Sequence, residues 1–169
     1  MKVINNLLAV PFVLFALCGC GSDDEDGVKD TQVPVVSSEG IVASPLNCDT
    51  YHRGQVIPLR FVLKDNVELG SYNVNIHNNF DHHNHSTEIG DCTLDAKVDK
   101  STPEGKAKYA NGWVFQQNYT VPEGLKTYLA SADIVIPATI EPGDYHFMLT
   151  VTDKAGWQTI KAVSIKILE

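Results

Sequence analysis

Tyr145-His146-Phe147-Met148-Leu149-Thr150-Val151, closed by Thr152-Asp153-Lys154-Ala155-Gly156, sets a large apolar side chain at every second position until a cluster of turn formers ends it. A period of two sorts Tyr145, Phe147, Leu149 and Val151 onto one face and His146 and Met148 onto the other, which only an extended strand does. Pro142-Gly143-Asp144 leads into the strand. After the turn a second apolar run, Gln158 to Leu168, returns alongside the first.

The same rhythm extends upstream. Gln55 to Leu63 reads as a strand with Leu59, Phe61 and Leu63 inward and Asp65-Asn66 closing it. Ser71 to His77 puts Tyr72, Val74 and Ile76 on one face and Asn73, Asn75 and His77 on the other. Trp113 to Tyr119 and Tyr128 to Ile136 add two strands, and a short one is expected near Val42. No segment carries a convincing helical period. About seven short strands over residues 33–169 predict an all-β fold, an immunoglobulin-like antiparallel β-sandwich, with a long insert after the strand that ends at His77. The approach Pro142-Gly143-Asp144-Tyr145 and the exit Thr152 to Gly156 resemble those of bacterial immunoglobulin-like domains. Residues 78–109 are too many for a hairpin. Within them, 99–108 is expected to be mobile and 78–92 to be pinned.

One segment breaks the rhythm. His77-Asn78-Asn79-Phe80-Asp81-His82-His83-Asn84-His85 gathers four of the six histidines into nine positions. With Asp65-Asn66, Leu69-Gly70-Ser71-Tyr72 and the Tyr145 to Gly156 strand and turn, it resembles an uncharacterised family of Bacteroidetes surface lipoproteins marked by a His-Asn-Asn-Phe-Asp-His-His core. The resemblance covers roughly residues 34–169. It implies an immunoglobulin-like lipoprotein with a His-rich site, and it brings no established activity.

The residues themselves point to metal. Neutral imidazole binds zinc, copper and nickel well, and a site needs three or four donors converging on one ion. On an extended segment His83 and His85 share one side about 6.6 Å apart, and His82 points the other way. Asp81 is placed to ligate directly or to orient an imidazole. The Ser71–His77 and Tyr145–Val151 strands are expected to be antiparallel neighbours, which sets His77 beside His146 on the outward face. His52, in the first connection, is expected at the same end. The expected ligands are therefore His77, Asp81, His82, His83, His85 and His146, for a transition metal ion, zinc or copper before others. Cys48 and Cys92 read as an export-compartment disulfide, with Cys92 as a thiolate ligand the alternative.

The N-terminus gives an address. Lys2, the apolar run Leu7 to Leu17 and the small residues after it have the form of an export signal over residues 1–19. Leu17-Cys18-Gly19-Cys20 resembles a bacterial lipobox in which Cys20 is acylated. Gly21-Ser22-Asp23-Asp24-Glu25-Asp26 resembles an acidic signal for the outer face of the outer membrane. Residues 20–32 then form a flexible tether and 33–169 the folded domain. A net charge of −8, with no Lys/Arg stripe, argues against a nucleic-acid partner. No metalloprotease helix, phosphate-binding loop or nucleophile elbow is present, so catalysis is not expected. The expected role is capture or hand-over of a metal ion or metal complex at the cell surface, with an outer-membrane transporter as the partner it would serve. The competing expectation is a glycan or protein adhesion module using Tyr109, Trp113 and Tyr119 as a platform.

Overall fold

A computed structural model describes residues 29–88 and 91–169. The export signal, Cys20 and most of the tether lie outside the described residues. Among those described, the order is β1 (Val35–Ser37), β2 (Asp49–His52), β3 (Val56–Lys64), β4 (Leu69–Asn78), α1 (Pro103–Ala110), β5 (Val114–Thr120), β6 (Thr127–Val135), β7 (Gly143–Asp153) and β8 (Gln158–Leu168). They form two sheets, β1-β3-β6 and β2-β8-β7-β4-β5. The alternating residues of β3, β4 and β7 meet between the sheets. Leu59, Phe61, Leu63, Val74, Ile76, Phe147, Leu149 and Val151 are all within 1% of complete burial. Removing that apolar surface from water is what holds the layers together.

The structure differs from the sequence reading in three places. No strand forms around Val42, which is 91% exposed; two short strands flank it, and nearby there is only an isolated bridge between Ser44 and Arg60. One of those strands, β2, pairs parallel with β8, so the larger sheet is mixed rather than purely antiparallel. The stretch 99–108, expected to be mobile, holds most of α1. The hydroxyl of Thr102 accepts from the Gly105 amide, Pro103 fills the first turn and Glu104 complements the helix dipole. Gly105 is buried there, and a Cβ would collide with the Asp99 carbonyl.

Tyr145 fastens one end of β7. Its hydroxyl donates to the Glu141 carbonyl at 2.5 Å and accepts from the Trp113 amide at 3.2 Å. The side chain has no solvent exposure, and burial pushes its pKa to about 12. The unfolded chain releases this proton near pH 10 while the fold retains it, so stability is lost as pH rises from 10 towards 12. The loss is expected to reach about 2–3 kcal/mol from Tyr145 alone. Tyr72, also buried and also raised to about 12 by burial, acts in the same direction. Urea midpoints measured alongside tyrosinate absorbance check this: a midpoint that stays constant across that window refutes it.

Candidate metal centre

The centre starts from one rung of the larger sheet. The β4–β7 register sets Ile76 opposite Phe147 inside and His77 opposite His146 outside. Beyond β4 the chain keeps contact with β7 through the Asn79 amide on the Asp144 carbonyl, 2.7 Å. Phe80 then turns inward, 3% exposed, with its ring 5.5 Å from the rings of both Tyr109 and Tyr145. It lies over Gly143, whose φ of 140° and lack of a Cβ make the approach possible; a Cβ would sit 2.9 Å from the Phe80 ring.

The next residues reverse the chain. His82 is left-handed, φ 56°, and its amide donates to the Asn79 carbonyl at 3.1 Å. This turn returns His83 and His85 across the outer face, above His77 and His146. All six distances between these four ring centres fall between 4.9 and 5.6 Å.

Their nitrogens are individually oriented. His77 Nδ1 donates to Asn75 Oδ1 at 2.6 Å, and His83 Nδ1 donates to Asp81 Oδ1 at 2.5 Å. Each Nδ1 therefore carries a ring proton, and in the neutral ring, the form that binds metal, each Nε2 carries a lone pair. Those two Nε2 atoms face each other at 3.2 Å. Lone pairs so placed repel unless a cation lies between them. A tetrahedral ion with bonds of about 2.0–2.1 Å separates neighbouring nitrogens by about 3.3–3.4 Å, close to this gap. His85 contributes the third nitrogen, and one nitrogen from each of His77, His83 and His85 lies within 4.8 Å of the others.

Burial disfavours charge on the two strand histidines. Burial, reinforced by His146, His83 and His85, lowers the His77 pKa to about 4. Burial also lowers that of His146. A hydrogen bond from Lys100, 2.6 Å from Oδ2, and a second from His83 hold the Asp81 carboxyl well below the usual range, so it stays an acceptor.

The structure brings together part of the expected ligand set. His77, His83 and His85 converge. Asp81 orients His83 instead of joining the three. His146 packs against them, but its Nε2 donates to the His83 carbonyl at 2.9 Å and its Nδ1 is buried without a partner. His82 is exposed and serves as the turn, because its left-handed backbone sends its side chain away from the group. His52 bonds the Glu169 carbonyl at 2.6 Å and takes no part. Asn75 and Lys100 were not foreseen. Asn75, two residues before His77 on the same face, was readable from the alternation of β4, whereas Lys100 arrives through the insert.

Cys48 and Cys92 are joined, S–S 2.04 Å, so Cys92 is not a thiolate ligand. A cleft of about 260 Å³, bordered by His82, His83, Asp91 and His146, opens beside the histidines. The aromatic platform does not form: Trp113 is 8% exposed, Tyr119 stacks on Tyr72 at 4.7 Å, and Tyr109 packs on Phe80.

No curated protein matches the chain. The family model described as Domain of unknown function (DUF4625) matches residues 18–168, and the chain belongs to that family.

Proposed function

We propose that this protein is a surface lipoprotein, anchored to the outer membrane by acylated Cys20, that captures a transition metal ion through His77, His83 and His85 and hands it on. The supporting observation is the 3.2 Å approach of two Nε2 lone pairs whose tautomers are set by Asn75 and Asp81. Three imidazoles leave one position of a tetrahedron open. Structural zinc sites close all four, whereas sites that exchange a ligand keep one free. Zinc or copper suits an imidazole-only set. A receiving outer-membrane transporter is the partner this role entails.

The test is metal titration of the purified protein with zinc, copper and nickel. One equivalent is expected to bind, and His77→Ala or His83→Ala to remove it. Asp81→Asn leaves all three imidazoles in place and is expected to weaken binding about 10- to 100-fold. Chelated protein that keeps a cooperative unfolding transition and native sheet content favours capture over a structural role, since the shift of the midpoint itself follows from binding in either case. Failure of all three metals to bind would overturn the proposal.

A further inference from the structure

The opposite end of the sandwich carries a second group of donors of different chemistry. Asp153 ends β7, seven residues beyond His146, about 23 Å away at the strand rise. Asp65 follows β3, and Asp30 belongs to the segment ahead of β1. One carboxylate oxygen from each of Asp30, Asp65 and Asp153 lies within 4.8 Å of the others.

Backbone amides hold one oxygen of each. Asp30 Oδ1 accepts from Gln32, Asp65 Oδ1 from Val67 and Glu68, and Asp153 Oδ1 from Trp157, at 2.7–3.1 Å. The other oxygens of Asp65 and Asp153 are shut off from solvent and accept nothing. Asp153 as a whole is only 4% exposed. A buried carboxylate oxygen without a donor is uncompensated charge, which folds retain where a cation supplies the balance. The protein's own cations do not: among the described residues no ion pair involves these three aspartates. Lys154, next to Asp153, turns to Glu68 and Glu123 at 4.0 and 3.7 Å.

We propose that Asp30, Asp65 and Asp153 bind a calcium ion that fastens the segment ahead of β1 to the end of the sandwich. Oxygen-only donors select a hard cation. Several carboxylates from separate segments suit the adaptable shell of calcium better than the strict, water-rich octahedron of magnesium. Trp157 is a built-in reporter, since its indole Nε1 donates to the Asp30 carbonyl at 3.4 Å.

Calcium titration of the full chain, followed by calorimetry and by terbium luminescence sensitised through Trp157, tests this. One equivalent is expected, with a dissociation constant on the order of 10⁻⁴–10⁻³ M, the range of extracellular calcium modules. Asp153→Asn and Asp30→Asn should each weaken it at least about ten-fold. Asp30 lies outside the strands, so that variant keeps the fold. His77→Ala should leave calcium binding intact, which separates this site from the imidazoles. Calcium should also slow cleavage after Lys29 by a lysine-specific protease. The proposal is overturned by absence of binding at millimolar calcium, by tighter binding of magnesium, or by affinity and protection unchanged in Asp30→Asn.

Discussion

Phe80→Ala is expected to cost about 3–4 kcal/mol of stability and, with it, the metal affinity of the histidine group. The ring is 3% exposed and wedged between Tyr109, Tyr145 and the bare backbone of Gly143. Its carbonyl accepts from the Val98 amide at 2.8 Å, so the same residue holds the far side of the insert. Removing the ring leaves a cavity that the sheet beneath cannot fill, because Tyr145 is fixed at both hydrogen bonds of its hydroxyl. Asp81, His83 and His85 follow within five positions and depend on that anchor for their place above His77. Urea denaturation and zinc titration of the same variant check both effects. Full zinc affinity in a variant that has lost the stability would show that the loop is organised by something other than Phe80.

Loss of the Cys48–Cys92 bridge is the second large effect. The bridge closes a loop spanning 44 positions, and in the chain-entropy account that constrains the unfolded chain by about 4 kcal/mol. For a domain of this size the melting midpoint is expected to fall by about 10–15 °C in the double variant Cys48→Ala/Cys92→Ala. The bridge also ties the insert to the start of β2, where the Cys48 amide donates to the Ser164 carbonyl at 2.8 Å. Scanning calorimetry with and without reductant measures it; coincident curves would refute the prediction.

The strands were legible because burial on one face writes a period of two into the chain. β3 carries it from end to end, β4 from Ser71 to His77 and β7 from Phe147 to Asp153, and the pairing of His77 with His146 followed from β4 and β7 being neighbours. Three features left no such trace. β2 is four residues long with alternating exposure, too short for its parallel pairing with β8 to be read. α1 has only one buried residue, a glycine, so its Thr102-Pro103-Glu104 start was the sole cue and no apolar stripe supported it. At the histidine group, residue type suggested the chemistry, but a single left-handed residue decides which histidines meet. Backbone handedness at His82 is not written in composition; the structure sets the His83 and His85 rings side by side and puts His82 at the turn.

The histidine group is divided between two kinds of support. His77 stands on a rung of a five-stranded sheet, while His83 and His85 ride on a curled segment held by the Phe80 ring, by Lys100 on Asp81 and by His146 on the His83 carbonyl. Anything gripped among them is held by an anvil and a clasp. In the proposed capture role, release is expected to call on movement of this loop while the sheet beneath it keeps its pairing. Placement is thereby divided between separate parts of the chain: the sheet fixes where the first nitrogen stands, and the contacts of the loop, Phe80 foremost, fix the other two.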